Sequence, residues 1–405
     1  TKVLFMTEEI CKREMKKIGL VLRDEHDTRD DFGPFRYLGA AITETAEEVD
    51  EALMHIRPLD DAKKFVALLE GMEAATALTL LRVAGVSKGQ FVARVHGAEA
   101  KGYLEQFDKH VTEKALCDAL HAGAGRIRAS EKISRPMRYG GYGFKFFAKF
   151  AAACHKAARD GTPQWEAEKW LYSAEELQRF DRERRGDVPV AALAMGLRQP
   201  LASEEVRTIV KEDTRIPHIV EAEKSAENEM YCTGCAKVFA PEPYIVHSMS
   251  CAAKEGKGNT TRRHNAMRDA AIEQCRKGGL GTEKEMLLQN PADSSHTGRM
   301  DMVVGQWAVD FTITTKPNAR QMAKHHTYKN LLPPSLTLKV IAISPTGRVH
   351  DDSYHIARSL AKRASMTFEE FWGPVLAEVK RGTAQAINRA RDEVITVHNQ
   401  RRARE

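Results

Sequence analysis

Arg299-Met300-Asp301-Met302-Val303-Val304-Gly305-Gln306-Trp307-Ala308-Val309-Asp310-Phe311-Thr312-Ile313-Thr314-Thr315 reads as two strands joined by a tight turn. Both runs are rich in β-branched and apolar residues, and Gly305-Gln306 supplies the turn. Alternation along the second strand puts Ala308, Asp310, Thr312 and Thr314 on one face and Val309, Phe311 and Ile313 on the other. An aspartate in the middle of such a strand is costly to bury unpaired, so Asp310 calls for a cation or a hydrogen-bonded partner. Asp301 opens the neighbouring strand, and the hairpin is expected to bring the two carboxylates within reach of one ion. Hard oxygen ligands suit Mg²⁺ or Mn²⁺, and such an ion would activate a water and stabilise charge on a phosphodiester. A lysine would complete the site. Thr312 stands two residues after Asp310, so the lysine must come from elsewhere, and a predicted helix from Pro317 to Leu331 offers Lys324 and Lys329, with Tyr328 beside the latter. The plainer alternative is a structural strand whose Asp310 is satisfied by Arg299 or a backbone amide.

Upstream, Arg263-His264-Asn265 opens a helix predicted to run to about Lys277, and Gly278-Gly279-Leu280-Gly281 ends it. Glu283 and Glu285 follow, then a polar loop from Asn290 to Gly298. Before the helix, Cys232-Thr233-Gly234-Cys235 is followed after eleven residues by His247 and after three more by Cys251. Four soft or borderline ligands at these loop spacings fit a tetrahedral Zn²⁺, and with all four positions filled the site is expected to be structural. The other four cysteines, Cys11, Cys117, Cys154 and Cys275, are scattered without pattern, which argues against a disulfide framework.

Further toward the N-terminus, Phe35-Arg36-Tyr37-Leu38-Gly39 reads as a short strand, and helices are predicted over Glu47 to Ile56, Asp61 to Val83 and Tyr103 to Leu120. The break Tyr139-Gly140-Gly141-Tyr142-Gly143 lacks the Lys-Ser/Thr of a phosphate loop, and a buried helix is expected from Phe144 to Ala158. Across 405 residues the formal charge is only +6, so local clusters matter more than the total. Lys254, Lys257, Arg262, Arg263, Arg268 and Arg276 lie close together, and Lys380 to Glu405 carries seven Lys/Arg against three acids. Such clusters suit a polyanion, although a solvated helix face looks the same.

In this order the segments resemble the C-terminal region of site-specific non-LTR retrotransposon reverse transcriptases, where a CCHC knuckle precedes a restriction-like endonuclease of the PD-(D/E)xK class. Cys232, Cys235, His247 and Cys251 match the knuckle ligands, Arg263-His264-Asn265 the segment opening the endonuclease, and Asp301 and Asp310 its metal-binding acids. Lys329 with Tyr328 resembles its displaced lysine, and Glu285, with Glu283 as rival, the acid on its helix. Lys2-Val3-Leu4, Phe35 to Gly39, Leu81-Arg82-Val83-Ala84-Gly85 through Arg94, Phe107-Asp108 and Gly140-Gly141-Tyr142-Gly143 are similar to thumb and linker segments. No Tyr/Phe-x-Asp-Asp polymerase signature occurs, so the resemblance implies a C-terminal fragment or truncated copy that nicks target DNA for priming by a polymerase half.

The expected fold is α+β and multidomain: a thumb-like region over 1–135, a helical linker over 136–230, a zinc knuckle over 231–256, an α/β nuclease core over 257–370 and a basic C-terminal helix over 371–405. The expected catalytic residues are Asp301, Asp310, Lys329 and Glu285. Arg262, Arg263, His264 and Tyr328 are expected to contact nucleic acid. Zn²⁺ would be structural and Mg²⁺ or Mn²⁺ catalytic, with target DNA and element RNA as partners. No run of apolar residues is long enough to span a membrane, and an intracellular, nuclear location is expected. The competing function is a zinc-knuckle binding module for DNA or RNA that no longer cuts. A third is a zinc-stabilised helical scaffold for protein, against which the basic residues around the knuckle argue.

Overall fold

The structure is a computed structural model that describes residues 35–37, 40–42, 48–56, 59–163, 166, 168–188, 201–218, 229–232, 235–249, 251, 254–290 and 293–403. Lys2-Val3-Leu4, Leu38 and Gly39 lie outside the described residues. The chain divides into two compact units, the first drawing on Thr1–Leu69, Leu80–Ala115 and Lys145–Ala174, the second on Glu70–Thr79, Leu116–Phe144 and Glu175–Glu405. The knuckle, the nuclease-like segment and the basic C-terminal helix, separate segments in the sequence reading, therefore share one unit.

The first unit holds a two-stranded antiparallel ladder, β1 (Phe35–Tyr37) with β2 (Ala40–Ile42), and a helical body. Asp50 of α1 (Val49–Ile56) accepts from the backbone N–H groups of Gly102 and Tyr103 at 2.8 Å each, at the start of α3 (Lys101–Phe107). Between them, α2 (Val86–His96) runs against α4 (Phe147–Asp160), the buried helix expected from Phe144. Gly89 allows that approach, because a Cβ there would come within 2.5 Å of the Phe147 ring and 2.8 Å of Phe107. Asp108 caps α4 by accepting from the N–H groups of Phe147 and Ala148, both at 2.9 Å, satisfying donors that a helix start leaves open.

The second unit contains α5 (Ser203–Thr214), the antiparallel ribbon β3 (Met230–Cys232) with β4 (Lys237–Phe239), α6 (Pro241–Ser248) and α7 (Lys254–Lys277). A four-stranded sheet follows in spatial order β5 (Thr282–Asn290), β6 (Asp293–Val304), β7 (Trp307–Ile313), β8 (Thr337–Ile343). The hairpin around Gly305 and Gln306 forms as read, with Val304 opposite Trp307, Val303 opposite Ala308 and Met302 opposite Val309. α8 (Pro317–Tyr328) then carries the chain over to β8, which runs parallel to β7. α9 (Asp351–Arg363) and the 35-residue α10 (Phe368–Arg402) close the unit.

One side of the sheet packs Leu288, Met300, Val303 and Ala308 against Tyr328 and Leu331. On the other, the Phe311 ring meets the edge of Trp372 at 6.4 Å, and Met302 Sδ lies 3.9 Å from Cys275 Sγ of α7. The C-terminal segment is therefore not a separate basic tail: Phe371, Trp372, Val375, Leu376 and Val379 are fully buried, the anchor stripe of an amphipathic helix. Even Lys380, counted among its basic residues, is buried, with Nζ 2.9 Å from Asp187 and 3.7 Å from Asp213. Among the described residues no helix is long and apolar enough to cross a membrane.

Candidate metal and acid sites

Cys232 ends β3, Cys235 follows the turn, His247 sits in the last turn of α6 and Cys251 lies just beyond it, so ribbon and helix deliver two ligands each. All four ligand atoms lie within 4.8 Å of one another, with Cys232 Sγ 3.7 Å from Cys251 Sγ and Cys235 Sγ 3.3 Å from His247 Nε2. A tetrahedral ion with Zn–S bonds of about 2.3 Å holds neighbouring sulfurs about 3.8 Å apart, so the arrangement suits zinc. None of the three cysteines is disulfide-bonded. Phe239 stacks on the His247 ring at 4.3 Å and fixes its plane. The cluster is built into α10: Met230, Ile245 and Met249 share a core with Ile387, Ala390 and Val394, and the Tyr244 hydroxyl donates to Glu393 at 2.5 Å.

Asp301 and Asp310 each lie one residue beyond the Met302–Val309 pair that ends the ladder, Asp301 meeting His264 of α7 and Asp310 meeting Lys324 and Tyr328 of α8, and the charge of Asp301 is felt at Asp310. On the far side of β6, Glu285 occupies the position between the Lys284–Met302 and Met286–Met300 pairs, opposite Asp301. By chain position the three acids thus fall at neighbouring places on β5, β6 and β7, with separate side-chain partners. Glu285 is on a strand rather than a helix, has a left-handed backbone (φ 56°), and is engaged by the buried Arg268 and, at 3.6 Å, by Arg299.

The two aspartates have separate partners. Asp301 Oδ2 accepts from Phe311 N–H at 2.8 Å and lies 3.2 Å from His264 Nε2, which is also 3.1 Å from the Phe311 carbonyl, so a proton on Nε2 serves both oxygens. Asp310 is almost fully buried, with Lys324 Nζ 3.2 Å from Oδ1 and 2.9 Å from Oδ2. The Tyr328 hydroxyl lies 2.7 Å from the Arg299 carbonyl and 3.2 Å from Asp310 Oδ1, so its one proton is shared between two acceptors. Oδ2 receives no well-directed hydrogen bond despite the nearby ammonium, which leaves a buried oxygen with a lone pair to spend. Gly298 makes room for Tyr328, since a Cβ there would meet its ring at 3.0 Å and Leu331 at 2.7 Å.

Burial, reinforced by the charge of Asp301, pushes the Asp310 carboxyl up to about 6, against the opposing pull of Lys324 and His264. Burial alone would lower His264, but the hydrogen bond and charge of Asp301 outweigh it and hold the imidazole above its ordinary value. Burial and the adjoining Asp310 raise the Tyr328 phenol, keeping it a donor. Because the folded Asp310 carboxyl titrates above its ordinary 3.8, the wild-type fold loses stability as pH rises through the window from 3.8 to about 6. In protein without a divalent ion, Asp310→Asn is therefore expected to be the more stable form at neutral pH, by on the order of 2 kcal/mol, with no difference below pH of about 4. Urea titrations at the two pH values check this.

The remaining expected site residues divide by place. Lys329 is exposed one residue past the end of α8 and does not reach Asp310; Lys324, four residues before Tyr328 and so on the same helix face, takes that place. Arg263, expected at a nucleic-acid surface, is buried instead: it donates to Thr383 Oγ1 at 2.7 Å and to the Met249 carbonyl at 3.0 Å, and desolvation lowers it to about 10. His264 and Tyr328 contact Asp301 and Asp310, whereas Arg262 is exposed.

The fold and the ligand cluster define an α+β protein with a Cys₃His site able to hold a metal ion, the one such group of three or more ligands among the described residues. The chain matches no known protein-family model, and no curated protein sequence matches it.

Proposed function

We propose that this chain is a nucleic-acid-binding, Mg²⁺-dependent DNA endonuclease, the C-terminal part of a site-specific non-LTR retrotransposon protein that nicks target DNA to prime reverse transcription. The observation that carries the reading is the placement of Glu285, Asp301 and Asp310 on adjacent strands, with Lys324 beside the buried Asp310. An aspartate at 1 % exposure in a sheet, feeling the charge of a second carboxylate, is an expensive arrangement for stability alone. Such strained carboxylates concentrate at working sites.

The chain supplies two carboxylates on adjacent strands, a spare buried oxygen on Asp310 and a cationic partner, donors of the kind that Mg²⁺ or Mn²⁺ takes. Asp301 and Asp310 would hold the ion, which lowers the pKa of a bound water and offsets phosphate charge. His264 fixes the Asp301 carboxylate from α7. Lys324 is 31 % exposed at its side chain, so it can leave Asp310 for a phosphate oxygen and stabilise the negative charge that builds there. Tyr328 holds Asp310 Oδ1 in place. A second reading, a binding module without cleavage, draws on the separate partners of the two acids. Supercoiled plasmid with Mg²⁺ separates them: nicking by the wild type that is lost in Asp301→Asn supports cutting, and equal nicking by both refutes it.

A further inference from the structure

At the C-terminal end of α8 the chain forms an open groove of about 530 Å³ whose wall includes Tyr328, the residue that also holds Asp310. Its floor is apolar, built from Pro333, Pro334, Leu336 and Leu338. Its rim carries His325, His326 and Lys329, all exposed, and none of the nine lining residues is acidic. Among the described residues no carboxylate is ion-paired with any of these three rim groups. Lys324 and Tyr328, one turn apart, face the acid site, so groove and acids are neighbours through a single ring.

We propose that this groove seats an unpaired nucleotide of the DNA strand being cut, adjacent to the reacting phosphate, so that the site acts on a locally melted or single-stranded stretch. Chemical complementarity names the occupant: the Lys329 ammonium and two imidazole rings beside apolar side chains match a phosphate attached to a flat, weakly polar ring. The volume lies within the range of about 300–1,000 Å³ for small-molecule sites and suits one nucleotide rather than a duplex. In a duplex the base faces are hidden by their neighbours, whereas an unpaired base can lay its face on prolines and an aromatic edge. The flanking phosphate then falls to Lys329 and the histidines, and sequence is not read, because the floor offers no array of hydrogen-bonding groups. This inference rests on the nuclease reading and refines it to a substrate class.

The test uses the full zinc-loaded chain without Mg²⁺ and fluorescence anisotropy on a labelled oligothymidine and on a blunt duplex of similar length. The triple variant His325→Ala/His326→Ala/Lys329→Glu is expected to weaken oligothymidine binding by about tenfold or more and duplex binding by less than about threefold. Pro334→Glu, which alters the floor alone, is expected to weaken oligothymidine binding with no change in thermal melting. Unchanged oligothymidine affinity in both variants, or an equal loss on both ligands, overturns the groove. If the wild type fails to nick DNA yet the triple variant still loses oligothymidine selectively, the nuclease reading fails and the groove stands.

Discussion

Protein stripped of zinc is expected to lose the fold of residues 230–251 and to loosen the second half of α10 with it. Three thiols and an imidazole within 4.8 Å of one another form a ligand set that a bound ion would tie together. The ribbon contributes only three residues per strand, too little to persist alone. Structural zinc supplies about 10–16 kcal/mol of apparent free energy in isolated zinc-finger peptides, and part of that term would stabilise this segment with zinc bound. The loss spreads because Met230, Ile245 and Met249 share their core with Ile387, Ala390 and Val394, and because Arg263 donates to the Met249 carbonyl from α7. Cys251→Ser should release the metal, lower the melting temperature by about 10 °C or more, and remove the thiolate absorption of a Co²⁺-substituted sample. Cys117→Ser should keep that absorption, since Cys117 lies outside the cluster. Full retention of structure after chelation would show that the four side chains are together for another reason.

Asp310→Ala is expected to reduce single-turnover nicking by about a thousandfold or more, and Lys324→Ala by about a hundredfold to a thousandfold, as removal of one charge-stabilising group from an active site does. Lys329→Ala is expected to behave differently: its loss should fall on the affinity for DNA with unpaired bases, because the side chain stands at the groove rim and not beside Asp310. A rate at saturating DNA measured against an affinity separates the two lysines. If Lys329→Ala cut the saturating rate and Lys324→Ala did not, the placement of charge at Asp310 would have to be redrawn.

The hairpin and the ligand cluster were legible in the sequence for simple reasons. Alternation in Trp307 to Ile313, with Gly305 at the turn (φ 57°), leaves one register, and two-ligand spacings constrain a tetrahedral site tightly. The edge strand β5 was hidden because Thr282-Glu283-Lys284-Glu285 is polar and the left-handed residue Glu285 breaks its alternation. β8 carries a readable signal, the continuous apolar run Val340-Ile341-Ala342-Ile343 of a strand buried on both faces, but only the crossover through α8 gives it a partner. Arg263 and His264 are adjacent on one helix, about 100° apart, so no pattern of neighbours tells which one enters the core and which one meets Asp301. The lysine was within reach: Lys324 lies four residues from Tyr328, the spacing that puts two helical side chains side by side, whereas Lys329 is adjacent in sequence and points elsewhere.

The burial of α10 shows the limit of counting charge. Lys380 to Glu405 reads as a basic run, yet Lys380 itself neutralises Asp187 and Asp213, which are also within 4 Å of Lys132, and Tyr142 donates to Asp213 at 2.9 Å. A basic residue that closes such a buried network contributes nothing to a polyanion surface.

The claim on which the function depends is that Asp301 and Asp310 share a divalent ion. Titrating Mn²⁺ into the zinc-loaded protein, read by calorimetry and by the electron-spin signal of the free ion, addresses it without reference to activity. The wild type should show one Mn²⁺ site beyond the zinc, weakened about tenfold or more in both Asp301→Asn and Asp310→Asn. A site of equal strength in all three proteins, or no such site in the wild type, would contradict it.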